Sequence, residues 1–111
     1  MPFDGTKATP ITTTLRNLFG PRGQHWCRDD LFSTNGRMCL LGAIEKGFQT
    51  ADRDAVDLLY ECLLPPHGKK WGPNHKRHEI MNFNDAAKNF KEIASLLDRA
   101  EQRELEKINA V

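Results

Sequence analysis

Cys39 stands three residues after Gly36 and three before Gly42, in the stretch GRMCLLGAI (36–44). A cysteine where an apolar helix begins would have its thiolate stabilised by free backbone N–H groups and the positive end of the helix dipole. A nucleophilic site also needs a base and a group to orient it. His25 and His78 are the available bases, and Asn84 and Asp85 are the available orienting groups. The same residues have a plainer reading. Cys39 would be a small buried hydrophobe, with Asn84 and Asp85 capping backbone groups. That reading is favoured, because no spacing places a histidine beside the cysteine and the local signatures of cysteine proteases are absent.

A second constellation is Cys62, His67, His75 and His78, four possible zinc ligands within 17 residues. Their spacing, Cys-x4-His-x7-His-x2-His, lacks the paired Cys-x2-Cys knuckle of structural zinc sites. A histidine-bearing loop beside a helix-borne Cys62 is the simpler account, and no metal is expected. Dinucleotide, phosphate-loop and flavin fingerprints are also absent, so no cofactor is expected.

The third is the segment from His67 to His78. It carries Lys69, Lys70, Lys76 and Arg77, with Trp71 and His75 among them and no acidic residue. Removing those four cations from the 16 lysines and arginines of the chain leaves 12 against 15 carboxylates. Positive charge is therefore concentrated in this one segment. Basic side chains around an aromatic ring suit phosphates and bases, and an acidic protein surface equally well; the plainer reading, a solvated positive loop with Trp71 tucked into the core, is favoured over a site. The acidic pairs need no such role. Asp52 and Asp54 open a helix, where carboxylates suit the dipole. Asp29 and Asp30 are adjacent, so on a strand they would face opposite ways.

The totals narrow the field. The chain has 111 residues, 39% hydrophobic and 28% charged, enough for one domain and one core. A net charge of +1 gives no whole-protein attraction to nucleic acid or membrane. No apolar stretch approaches the ~20 residues of a membrane span, so no membrane association is expected. The start, MPFDGTKATP, lacks the basic and apolar regions of a secretory signal. Three irregularly spaced cysteines do not resemble a disulfide framework. A cytoplasmic location is the expectation.

Four or five short helices must position these groups. Thr9-Pro10 reads as a helix start, with Ile11, Leu15, Leu18 and Phe19 as its apolar stripe and Gly20-Pro21 as its stop. Trp26 is a core anchor. Asn35-Gly36 suits a tight primed turn and predicts a small β-hairpin over about residues 30–39. Leu40, Leu41, Ile44 and Phe48 give a helical face, and Gly42 allows a close backbone approach. Residues 52–64 read as a helix ended by Pro65-Pro66, and residues 79–84 as a helical turn. Asn89 with Glu92 reads as a capping box opening a helix over about 90–107, with Phe90, Ile93, Ala94, Leu97 and Ala100 inward. Leu105 and Ile108 continue past it, as a frayed end or a partner contact.

The order of these segments (GQHWC, GRMCLLGAI, IMNFND and FKEIASLLDRAE) resembles a bacterial family of short proteins known only as a domain of unknown function. The resemblance runs from residue 11 to about 103. Its Gly-x-x-Cys-x-x-Gly-Ala and aromatic-Asn-Asp motifs fall on Gly36, Cys39, Gly42, Ala43, Asn84 and Asp85, with Trp26 as the tryptophan of the leading segment. Phe83 stands where the family often has tryptophan. The resemblance implies a fold and no reaction.

The expected architecture is a mostly α, compact single domain over residues 9–104, with a flexible tail at 1–8 and a frayed one at 105–111. The expected function is a binding module whose segment 67–78 contacts an acidic protein or a nucleic acid. The alternative is a cysteine-dependent hydrolase or transferase with Cys39 as nucleophile.

Overall fold

The computed structural model describes residues 10–63 and 73–109. They form five helices: α1 (Ile11–Phe19), α2 (Leu40–Phe48), α3 (Arg53–Leu63), α4 (Pro73–Ala86) and α5 (Phe90–Asn109), with a short 3-10 turn at Gln49–Ala51. Helix α3 packs on α4 and α5, α1 packs on α2 and α5, and α2 packs on α4. The mostly α expectation holds.

The core follows from the apolar spacing. Leu15 and Phe19 of α1, Leu40 and Ile44 of α2, Leu59 of α3, Ile80 of α4 and Ile93, Leu96 and Leu97 of α5 are all enclosed. Each comes from a stripe repeating at three and four residues, which on a helix makes one face. The rings of Phe19 and Phe90 meet edge to face at 5.6 Å, and Trp26 lies 6.1 Å from Phe90. Gly23 stacks on the Phe90 ring so closely that a Cβ there would lie 2.1 Å from the ring, and its φ of +69° also favours glycine.

Helix ends show how distant segments are tied together. Pro10 is the N-cap of α1 and supplies no side-chain acceptor. The first N–H groups instead donate to α5: Ile11 N to Glu104 Oε2 at 2.7 Å and Thr12 N to Glu104 Oε1 at 3.0 Å. The buried Thr12 hydroxyl donates to the same Oε1 at 2.6 Å. A carboxylate at a helix N-terminus satisfies orphan donors and the dipole together. At α5, Asn89 Oδ1 accepts from Lys91 N at 3.0 Å, and Glu92 Oε2 reaches back to Lys88 N at 2.7 Å. This is the expected reciprocal cap, its return bond shifted one residue outward.

The hairpin expected over 30–39 is corrected. Among the described residues there is no strand, only two isolated bridges, both made by Met38: parallel with Trp26 and antiparallel with Phe32. A turn does form around Asn35-Gly36, but not the primed one, since Asn35 is not in the positive-φ region. Gly36 has φ +82°, and Ser33 N donates to Arg37 O at 2.8 Å. What fails is the ladder. Helix α2 starts at Leu40, soon after the turn closes at Arg37, and the backbone N–H and C=O of Met38 both go to the segment around Trp26, to His25 and Cys27. Helix α4 is also longer than the turn expected at 79–84. It begins at Pro73, and proline at a first helical position needs no N–H partner.

Candidate functional site

The loop between α1 and α2 crosses the N-terminus of α2, and residues from α4 hold it there. Asn84 organises this junction and is fully buried. Its Oδ1 accepts from Trp26 Nε1 at 2.7 Å and from the backbone N–H of Leu40 at 3.0 Å. Its Nδ2 donates to the Cys27 carbonyl at 3.1 Å and to Asp85 Oδ1 at 3.2 Å. A primary amide has two acceptor sites and two donors, so all four are engaged. Asp85 Oδ1 also accepts from Asp29 N at 2.8 Å. Arg28 adds a bond from Nη1 to the Ala87 carbonyl at 3.0 Å.

Cys39 is the N-cap of α2. Its Sγ accepts from Gly42 N at 3.4 Å, and only 2% of the residue is exposed. Burial pushes its thiol pKa up, and the Asp85 charge pushes the same way. The N–H groups of Gly42 and Leu41 pull it back without offsetting the rise. The helix N-terminus therefore acts on Cys39 as the sequence suggests, but desolvation outweighs it. His25 and His78 are both exposed. The backbone carbonyl of His25 accepts from Met38 N at 2.7 Å. Among the described residues neither imidazole hydrogen-bonds to Cys39 Sγ.

Cys27 and Cys62 are half-buried, and burial raises both thiol pKa values. Arg103 and Arg99 oppose the rise at Cys62. Of the four residues weighed as zinc ligands, His67 lies outside the described residues. Among those described, no group of three His, Cys, Asp or Glu side chains is placed to hold a metal ion.

The basic segment divides in the same way. Lys69, Lys70 and Trp71 lie outside the described residues. The rest stand on the first turns of α4, facing α3. Lys76 Nζ lies 2.9 Å from Asp57 and 5.7 Å from the centre of the Tyr60 ring, and Arg77 is bonded to Asp52. The His75 ring meets Tyr60 edge-on at 6.1 Å. Lys76 thus ties α4 to α3, and Arg77 ties it to Asp52 immediately before α3.

A feature that the sequence pattern did not single out lies beside Cys39. Leu31 and Phe32 are 39% and 52% exposed, two of the three large exposed apolar side chains among the described residues. With Met81 of α4 they line a cleft of about 340 Å³ whose other walls are Cys39, Asp29, Asp30 and Asp85. The loop is tightly seated. Cys39 N donates to the Leu31 carbonyl at 3.3 Å, and Cys27 Sγ donates to the Asp30 carbonyl at 3.4 Å. A Cβ on Gly42 would lie 2.1 Å from the Leu31 carbonyl oxygen. The close approach expected at Gly42 is thus to the very residue that presents the apolar pair. The signal available in the sequence is DDLFS, an acidic pair followed by an apolar pair; the expected hairpin accounted for it as strand.

A family of unknown function, DUF6197, matches residues 22–103. The chain belongs to this family. The matched region runs from the loop after α1 as far as Arg103 within α5, so it contains the junction around Asn84 and the cleft. No curated protein and no solved structure matches the chain. No helix among the described residues is long and apolar enough to cross a membrane.

Proposed function

We propose that the chain is a non-enzymatic binding module whose docking face is the loop around Leu31 and Phe32. The observation that carries this is a contrast within one loop. Its backbone is fixed by Asn84, Asp85, Cys39 and Gly42, yet it holds two large apolar side chains out in solvent. Rigidly presented apolar groups lose little entropy when a partner covers them, and contiguous exposed apolar surface marks interaction sites.

The enzyme alternative has less support. A nucleophilic cysteine needs access and a lowered pKa, and Cys39 has a raised pKa and is enclosed. Asn84 has no free bond with which to orient a histidine. The described part of the basic segment has less support as a docking face, because Lys76 and Arg77 are already turned to Asp57 and Asp52.

The test compares the tagged chain with a Leu31→Ser/Phe32→Ser variant. The variant is expected to melt at an unchanged temperature and to lose the proteins that the native chain retains. A variant that holds every partner would sink the reading. A Cys39→Ser variant is expected to keep them, since a hydroxyl caps the helix as well as a thiol.

A further inference from the structure

We propose that the cleft beside Leu31 and Phe32 takes a segment of another protein that carries a bulky apolar side chain next to lysine or arginine. The inference rests on the docking-face reading above and adds the chemistry of the occupant. Three observations support it.

Size comes first. A volume of about 340 Å³ is at the low end of the ~300–1,000 Å³ typical of ligand pockets. It suits one bulky side chain with part of its neighbour. Leu31, Phe32 and Met81 supply the apolar surface for that anchor.

Charge is the second. The cleft has three carboxylates in its walls, Asp29, Asp30 and Asp85, and no cation. Elsewhere Arg16, Lys76, Arg77, Arg103 and Lys107 each face a carboxylate. Among the described residues, none of the three cleft aspartates has such a partner. An arriving cation would meet three carboxylates that no ion pair of the described residues engages. A phosphate backbone would be repelled. A second copy docking symmetrically would set the three aspartates against the same three.

Conformation is the third. Asp29 has φ +69°, in the left-handed region that glycine adopts more easily. Asp85 holds it there by accepting its N–H at 2.8 Å. The chain thus keeps a carboxylate at a position where glycine would fold more readily, next to the exposed apolar pair.

The experiment titrates the full chain with synthetic nonapeptides in a Gly/Ser background and follows the methyl NMR signals of Leu31 and Met81. The peptides carry a central Leu, Phe or Trp flanked by Lys/Arg, by Glu, or by neither; a further set carries Lys/Arg without the apolar residue. Only the cationic apolar peptides are expected to shift both signals, and more tightly at low salt. Asp29→Gly and Asp30→Asn, each checked by thermal melting, are expected to weaken binding about two- to five-fold apiece, the size of an exposed ion pair. Apolar peptides that occupy the cleft equally well whatever their flanking charge would overturn this inference and leave the docking-face reading standing. If no peptide moves Leu31 or Met81, both fail. Concentration-dependent dimerisation abolished by Phe32→Ser would make a second copy the occupant and overturn the proposal.

Discussion

The side chain of Asn84, on α4, caps α2 by accepting the backbone N–H of Leu40 at 3.0 Å, across 44 positions of the chain. One amide thus joins α2, α4 and the Trp26–Cys27 loop, since its other bonds go to Trp26, Cys27 and Asp85. Truncation removes all four bonds of a fully buried side chain. Asn84→Ala leaves the Trp26 and Leu40 donors and the Cys27 carbonyl unpaired, at about 1–3 kcal/mol each when buried. Structural relaxation lowers that sum, so the expected loss is about 3–5 kcal/mol, read as a fall in the urea midpoint. A loss under about 1 kcal/mol, within the range of ordinary surface substitutions, would show that the junction does not depend on this amide.

Gly42 sets how closely the loop sits on α2. A methyl group there meets the Leu31 carbonyl oxygen, which is backbone and cannot swing aside. Gly42→Ala is expected to cost about 1–3 kcal/mol, the range for overpacking, despite the gain in helix propensity of about 1 kcal/mol. It should also displace Leu31 and Phe32. Amide hydrogen exchange checks this, with faster exchange expected at Cys39, whose N–H donates to the Leu31 carbonyl. Unchanged exchange together with higher stability would refute the close approach.

Much of this arrangement is legible in the sequence, and the parts that are not have physical reasons. The stripes of α1, α2, α3 and α5 are local periodic signals, and the structure places them inward. The turn signal at Asn35-Gly36 is equally local, and a turn forms there, though not of the primed type. The strands it should join need extended chain on both sides, and α2 begins before a ladder can grow. Helix α4 opens with PNHKRHE, which has no apolar stripe in its first two turns; its early cations are held by Asp57 of α3 and by Asp52 just before it, a tertiary effect. Asn84 stands out as a motif residue, but its four partners lie 1, 44, 57 and 58 positions away. Only the fold shows that its bonds are all taken. The cleft is hidden for the same reason: Leu31 and Met81 share it only because α4 crosses the loop.

The three thiols give a pH dependence whose direction is fixed. Burial raises the folded-state pKa of Cys27, Cys39 and Cys62. The folded chain therefore keeps protons that the unfolded chain releases above pH ~8.5. Stability from this source is fully present below that pH and falls as pH rises above it. The melting temperature is expected to be flat from about pH 7 to 8 and to decline from about pH 8.5 to 10, with a smaller decline in a Cys39→Ser variant. In native alkylation, Cys39 should be the slowest of the three to react, as the most enclosed. Rapid labelling of Cys39 at neutral pH would revive it as a nucleophile.

Asp29 offers a way to separate folding from binding at one position. At φ +69° a residue with a Cβ pays a steric cost of about 1–2 kcal/mol, smaller for Asp and Asn than for others. Glycine escapes that cost but brings more unfolded-state entropy, about 0.5–1 kcal/mol. Asp29→Gly is therefore expected to be neutral or stabilising, within about 1 kcal/mol. Asp29→Val, branched at Cβ, should be destabilising by more than Asp29→Ala. All three keep the N–H that donates to Asp85, so the series isolates the backbone conformation. Urea midpoints ordered Gly, Asp, Ala, Val from high to low would establish the left-handed conformation in solution, and a Val variant as stable as Gly would exclude it. Where Asp29→Gly also weakens the cationic apolar peptides, the carboxylate serves the partner at no benefit to the fold.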